Sequence, residues 1–527
     1  MTFRTHWLVF SMLLCATSAA SFAQTPAPPG TSPIPHFTFN QKRGPYAVGL
    51  KVVDQYDHSR VYRPLTDSLG QPVQGERARP LQTLVWYPAE KSGAAPVTVG
   101  DYVKLVDTET RFDKPDTTTR KPWITLVGAY LKAPMWAVRN APLARGRYPV
   151  VIYAPSLSST SWENADLCEY LATHGYVVIA SPSLGVSTRD MTDDLAGASA
   201  QAADISFLIG YAQTLADTDM SEIAVAGFSW GGISNLFAAA RDNRIDALVA
   251  LDGSMRYFPG LVQKASDVRP QQMTLPLLYF TEGPLSIEKL ASYKGLNNGA
   301  PSVLNAWTHG DLLTVHMLGM VHLEFASMFY RNPVFWEGFH YVQKADYGPK
   351  DGMVSYGVMA RYTLAFLDAY LKHDATEMTY LKNTPATNGV PKHLVDSAFR
   401  PAQGMAPTLD AFRARLGKQG FTHASEIYAG IKKSQPEFLL KQEPMDVWGR
   451  ELLLAGHYAE SIAILRLNTE IYPKSPDAFV SLGVAYAMAG KKPLAAQSYE
   501  KALELAPGNP GATAQLRLLK AGKPVQL

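Results

Sequence analysis

Ser229 stands in Gly227-Phe228-Ser229-Trp230-Gly231, after the apolar run "SEIAVA" and before "ISNLFAAA". A serine hydroxyl is a weak nucleophile until a base takes its proton. A serine held on a sharp turn between a strand and a helix needs small neighbours, because the turn strains its backbone. Gly227 and Gly231 supply that smallness, so Ser229 is read as a nucleophile rather than as part of a structural turn.

On such an elbow the partners follow in the order serine, acid, histidine. Between Ser229 and the last predicted helix of this region the histidines are His309, His316, His322 and His340. The base belongs on a loop beyond the carboxyl edge of a sheet, ahead of a helix that returns to cover it. His322 in "GMVHLEFASM" fits best, since "LEFASMF" can open that helix, and His316 is the alternative base. Two carboxylates end apolar runs at the right place, Asp252 after "ALVAL" and Glu282 after "LPLLYFT". Either can accept the second imidazole N–H and stabilise the imidazolium. Chain order leaves both open.

The elements that must carry these residues are visible as apolar runs: "QTLVWYP", "YPVVIYAP", "GYVVIASP", "SEIAVAGFS", "DALVALDGS" and "LPLLYFTEG". They alternate with helix-like segments such as "ADLCEYLATHG" and "AADISFLIGYAQTLA". Continuous apolar strands alternating with helices predict a mostly parallel sheet covered on both faces, an α/β domain. Its last helix is predicted in "GVMARYTLAFLDAYLKHD". Residues 376–407 show no periodicity and are read as a connector. The segment 91–147 is an insertion, either a lid or a surface excursion.

The tail repeats itself every 34 residues, aligning Gly449 with Gly483, Gly456 with Gly490 and Pro473 with Pro507. "PDAFVSLGVAYAMAGKKPLAAQSYEKALELAPGN" has the tetratricopeptide pattern, whose units stack helical pairs. The preceding unit, 442–475, departs from it, with Ser461 and Asn468 where small residues are expected. Because about three such units are needed to bury their faces, residues 408–441 are expected to form a degenerate helical pair, or the array to pack on the catalytic domain. The tail, 408–527, is thus predicted all-α, with a protein partner as its possible ligand.

Several of these segments together, "RPLQTLVWYPA", "YPVVIYAPSLSSTSWENADLCEYLATHGYVVIASPS", "GFSWGG", "ALDGSM", "MVHLEFASM" and "FLDAYLKHD", resemble the platelet-activating-factor acetylhydrolase-like and dienelactone-hydrolase-like branch of the α/β-hydrolases, over residues 40–375. The resemblance implies the α/β-hydrolase fold and the hydrolysis of small or short-acyl carboxylic esters. It favours Asp252 as the acid over Glu282 and places His322 in a similar Val-His-x-x-Phe context. It also implies an oxyanion hole made by the backbone amides of Trp230 and Leu157. The chain departs from these relatives just before Leu157, where Pro155-Ser156 replaces His-Gly. A peptidase or amidase on the same triad, or an inactive hydrolase-fold scaffold that binds proteins through its repeats, are the alternatives.

Composition bounds the rest. The 527 residues are 46% hydrophobic and 18% charged, a globular composition. The start, "MTFRTHWLVFSMLLCATSAASFAQ", has an Arg4 flank, an apolar run and a small-residue end, the pattern of a secretory signal cleaved after Ala23. Residues 24–39 form a proline-rich leader, and the mature chain is expected to be periplasmic or secreted, without a transmembrane segment. Loss of Arg4 takes the formal net charge from +3 to +2, which lacks the basic excess of a nucleic-acid binder. Only Cys168 then remains, and its helical spacing from Leu171 marks a core thiol. No H-E-x-x-H, CxxC or glycine-rich phosphate loop occurs, so neither metal nor cofactor is expected. The aromatics Phe329, Tyr330, Phe335, Trp336, Phe339 and Tyr341, with Trp162 and Trp230, are assigned to the core first and to an acyl or aromatic pocket second.

Overall fold

Ten strands form one sheet in a computed structural model that describes residues 37–67, 69–282, 302–332, 346–436 and 438–525. In chain order they are β1 (Ala47–Val61), β2 (Ala78–Ala89), β3 (Ala137–Arg139), β4 (Tyr148–Ala154), β5 (Val177–Ala180), β6 (Thr218–Phe228), β7 (Ala247–Leu251), β8 (Leu277–Glu282), β9 (Leu312–Met317) and β10 (Val395–Arg400). Their order across the sheet is β10-β9-β8-β7-β6-β4-β5-β2-β1-β3. The six strands from β5 to β9 pair in parallel, with β2 antiparallel to β5 on one side and β10 antiparallel to β9 on the other. The expected signal and the expected leader up to residue 36 lie outside the described residues, and among those described no helix is long and apolar enough to cross a membrane.

The central parallel strands are buried on both faces, β4, β5 and β7 throughout and β6 from Ile223 to Phe228, because helices cover both faces. Side chains alternate along a strand, so β4 sends Val151 and Tyr153 to one apolar layer and Val150, Ile152 and Ala154 to the other. Five helices matter for the site: α1 (Val99–Leu105), α2 (Ala165–Thr173), α3 (Leu195–Ala212), α4 (Trp230–Arg241) and α5 (Pro349–Leu371). Residues of α2 and α5 fill the first layer, and those of α3 and α4 the second. Cys168 is buried in the first.

Two predicted segments behave differently from the sequence reading. Residues 376–407 are not a bare connector: they supply β10, whose short, mixed-polarity "VDSAFR" offers no apolar run because it is an edge strand with only Val395 buried. The segment after His322 does not open a covering helix. It forms two 3₁₀ turns, His322–Phe325 and Ser327–Arg331, and the covering helix α5 begins at Pro349.

The 91–147 segment is built into the core, with Val99, Tyr102, Val103, Met135 and Ala137 in the first layer. Its polar attachment is a chain from the Trp86 indole N–H to the Tyr102 hydroxyl at 2.7 Å, then to Glu169 of α2 at 2.8 Å, whose other oxygen accepts the Trp136 amide at 2.6 Å.

The tail adds α6 (Leu409–Gln419), α7 (Ala424–Ser434), α8 (Gln442–Leu454), α9 (Tyr458–Ile471), α10 (Pro476–Met488), α11 (Lys492–Leu505) and α12 (Pro510–Lys520). Its two apolar clusters draw only on residues from Met405 onward. One contact recurs at the 34-residue spacing: a Cβ on Gly449 would strike Leu465 at 2.5 Å, and one on Gly483 would strike Tyr499 at 2.4 Å. The two polar replacements in the first unit are both fully buried and hydrogen-bonded: the Ser461 hydroxyl donates to the Gly449 carbonyl at 2.7 Å, and Asn468 Nδ2 donates to Asp446 at 3.0 Å. Hydrogen bonds there take the place of small-residue packing.

Candidate active site

β6 delivers Ser229 to the carboxyl edge of the sheet, and α4 starts at the next residue. Ser229 holds φ 53°, ψ −114°, a conformation that L-residues adopt only when the surroundings over-determine it. Here the surroundings are hydrogen bonds from the Ser229 amide to the Leu251 carbonyl at 3.1 Å and from the Ser254 amide to the Ser229 carbonyl at 2.7 Å. Gly231 is required by close approach, since a Cβ there would lie 2.0 Å from the Ala154 carbonyl oxygen. The first turn of α4 therefore rests directly on the end of β4, where the loop to Leu157 begins.

Asp252 follows β7 with φ 44° and is fully buried. One carboxylate oxygen, Oδ2, lies 2.6 Å from His322 Nδ1. The other accepts the Tyr257 hydroxyl at 2.9 Å and the Glu282 amide at 3.3 Å. His322 Nε2 lies 2.8 Å from Ser229 Oγ. With Nδ1–H donating to Asp252, Nε2 is the lone-pair side that faces the serine hydroxyl, which is the tautomer a general base requires. The imidazole also packs against the Phe228 ring, at 4.9 Å between centroids.

The sequence candidates thus separate in space. Ser229, Asp252 and His322 form one hydrogen-bonded chain. Glu282 joins the cluster, with ligand atoms of Asp252, Glu282 and His322 all within 4.8 Å of one another. His316 lies inside β9, paired across to Thr281 on one side and Asp396 on the other. His309 engages the Gln403 carbonyl, and His340 lies outside the described residues. Phe335, Trp336, Phe339 and Tyr341 do too. Tyr330, Trp162 and Trp230 are core residues, each at most 3% exposed.

Electrostatics follow from that packing. Burial pulls the His322 pKa down, but the hydrogen bond and charge of Asp252, with the charges of Glu282 and Glu163, outweigh it and hold His322 above its ordinary 6.5. Burial and the Asp252 charge push Glu282 up to about 7, against the opposing pull of His322.

The loop after β4 carries Pro155-Ser156 where the resemblance led to an expectation of His-Gly, and the structure shows how it is held. The Ser159 amide donates to the Ser156 carbonyl at 3.1 Å, closing a turn around Leu157 and Ser158. Ser158 takes φ 54°, a left-handed value that glycine adopts without steric cost. Its conformation is held by the Met191 amide on its hydroxyl at 2.8 Å and by Arg189 on its carbonyl at 3.0 Å. Arg189 in turn pairs at 2.8 Å with the buried Glu109 of the 91–147 segment. Gln201 of α3 donates to the Pro155 carbonyl at 2.8 Å and accepts from Ser234 of α4 at 2.6 Å, tying this loop to the nucleophile helix. Among the described residues neither the Leu157 nor the Trp230 amide has a protein acceptor.

Sequence reasoning did not single out Tyr257, Glu163, Arg189 or Gln201. None falls in a spaced motif. Glu163 and Gln201 are polar residues in largely buried stretches and Arg189 stands in an exposed one, and one sequence does not tell these surroundings apart.

Among known proteins, the chlorophyllase family model matches residues 109–255. That span contains Leu157, Ser229, Trp230 and Asp252, and ends before His322. No curated protein matches the chain. Among solved structures, a ferulic acid esterase from Streptomyces cinnamoneus is similar at 19% identity, covering 68% of this chain and 98% of its own, with a TM-score of 0.46. The chain has the α/β-hydrolase fold and is a hydrolase.

Proposed function

We propose that this chain is an exported serine hydrolase that cleaves small or short-acyl carboxylic esters by an acyl-enzyme mechanism. The observation that carries the reading is the continuous chain Asp252 Oδ2, His322 Nδ1, His322 Nε2, Ser229 Oγ at 2.6 and 2.8 Å, ending on a strained elbow. Ser229 Oγ attacks the acyl carbon as its proton passes to His322 Nε2. Asp252 holds the imidazole and stabilises its positive charge. The oxyanion is met by the Trp230 and Leu157 amides, donors of the kind whose single removal costs about 10²–10³ in rate. His322 then protonates the departing alkoxide. Water, deprotonated by the same imidazole, attacks the acyl-enzyme and releases the acid, leaving Ser229 regenerated.

A fluorophosphonate probe is expected to label the protein on the peptide containing Ser229, and p-nitrophenyl esters to be turned over fastest at short acyl length. Folded protein that neither labels nor turns over any ester removes the reading. Export belongs to it as well, and predicts a mature N-terminus at Gln24.

The helical tail is read as tetratricopeptide-like repeats that dock a partner protein. Support comes from its apolar clusters, which draw on tail residues together with Met405 just before them. Removing residues 408–527 is expected to leave kcat/KM on a short ester within about threefold. An insoluble or inactive truncation would make the tail structural support instead.

A further inference from the structure

Glu163 and Asn164 lie in "SWENAD", just before α2, and both are fully buried. The Glu163 carboxylate faces the loop after β4. It accepts the Ser156 amide at 2.9 Å, the Ser156 hydroxyl, and the Tyr153 hydroxyl at 3.2 Å. Ser156 immediately precedes Leu157. The neighbouring residue faces the other way. Asn164 Nδ2 donates to the Phe325 carbonyl at 2.9 Å, and its Oδ1 accepts the Ser327 amide at 3.0 Å and the Tyr356 hydroxyl at 2.6 Å. Phe325 and Ser327 follow His322 by three and five residues. The Glu163 carbonyl adds a third tie to that segment by accepting the Met328 amide at 3.2 Å.

We propose that Glu163 and Asn164 are a single positioning joint, which sets the oxyanion loop against the loop that carries His322, the Glu163 carboxylate also favouring the imidazolium by its charge. This rests on the ester-hydrolase reading above. Where the resemblance led to an expectation of His-Gly, this chain anchors Ser156 from below by a buried carboxylate. An ionised carboxylate only accepts, and every protein group that meets the Glu163 side chain is a donor. A glutamine at 163 would turn an NH₂ toward one of those donors. The site costs desolvation: burial leaves the Glu163 pKa raised, and the hydrogen bonds from Ser156, Ser159 and Tyr153 pull it back only in part. The charged groups that act on His322 are Asp252, Glu282 and Glu163, all of one sign. Arg189, paired with Glu109, binds the carbonyls of Ser158 and Ser159 on the far side of the same loop.

The full chain carrying Glu163→Gln is the test, assayed on p-nitrophenyl acetate across pH and by thermal melting. Displacement of a reacting group by about 1 Å can cost about 100-fold, so kcat is expected to fall by about that factor with KM within about threefold. The acidic limb of kcat/KM is expected to move to lower pH, because a charge favouring the imidazolium is gone. Asn164→Ala is expected to lower kcat without moving the limb. A folded E163Q that keeps wild-type kcat, or loses kcat with the limb unmoved, overturns the proposal. If E163Q does not fold, Glu163→Asp is read instead, since it keeps the charge and shortens the reach. Lowered kcat at an unmoved limb then supports the joint, and wild-type kcat overturns it. Failure of the ester-hydrolase reading would show differently, as wild-type protein without turnover or Ser229 labelling.

Discussion

Replacing Ser229 by alanine is expected to lower kcat on a short-chain ester by about 10⁶-fold, the scale on which a nucleophile acting as a unit with its base is lost. The substitution removes one oxygen from a position whose backbone is held by Leu251 and Ser254 rather than by the side chain. Alanine meets the same φ of 53° as serine, so the elbow gains no new strain. The lost Oγ contact to His322 is one hydrogen bond, worth about 1 kcal/mol net, and the melting temperature should shift by only a few degrees. A residual rate about 10³–10⁴ above that of water remains plausible chemistry for a pocket that keeps its amide donors. His322→Ala should cost a similar factor, and the double variant no more than either alone, because neither group works without the other. Steady-state rates with active-site labelling check all three. A loss below 100-fold in Ser229→Ala, or labelling that persists, would mean that another nucleophile does the work.

The elbow was legible because its chemistry is local. A buried strand, a small-residue turn and a helix start occupy one continuous stretch, and the required glycines mark it. Chain order narrowed the base to four histidines, and His322 stood out for a covering helix that the structure replaces with 3₁₀ turns. Chain order alone left the acid open, and only the resemblance favoured Asp252, for a reason the sheet makes plain: Asp252 and Glu282 end adjacent parallel strands, β7 and β8, so they arrive at the same edge side by side. What separates them is the turn at Asp252, φ 44°, which aims Oδ2 at Nδ1, and no residue type announces that turn. The supports were the least legible part. Tyr257 reaches Asp252 from five residues on, and Glu163 and Asn164 act across separations that only the fold closes. Strands near the sheet margins, β1 beside the edge strand β3 and β10 at the other edge, escaped for the opposite reason. β1, "AVGLKVVDQYDHSRV", is largely exposed beyond its first residues, so its apolar content is too diluted to stand out, and β10 is shorter still. In the tail, Ser461 and Asn468 looked like defects in a repeat because the pattern assumes small residues, whereas each is buried on a hydrogen bond that the pattern does not encode.

Asp252→Asn and Glu282→Gln should part by orders of magnitude, and in different observables. Asparagine at 252 can turn its NH₂ toward His322 Nδ1, which then must accept, moving the ring proton to Nε2. The imidazole can no longer take the serine proton, and kcat is expected to fall by about 10⁴-fold. Glu282 makes no such contact with Nδ1; it acts by charge and accepts the His322 backbone amide. The reactive imidazole is neutral, so activity rises with pH through the raised His322 pKa. Glu282, pushed up to about 7 by burial and by Asp252, titrates across the same interval, and the wild-type acidic limb belongs to the pair rather than to either group. Glu282→Gln removes a negative charge that favours the imidazolium. The limb should therefore move to lower pH and simplify to one proton, with kcat at high pH within about threefold of wild type. The reverse outcome, a tolerated Asp252→Asn beside a crippled Glu282→Gln, would make Glu282 the acid. If both single variants are mild and only the double is inactive, the carboxylates substitute for one another, which their common distance from His322, within 4.8 Å, permits. The fully buried state of Asp252 and its two further donors, Tyr257 and the Glu282 amide, argue for the first result. They hold Oδ1 so that Oδ2 has one place to point.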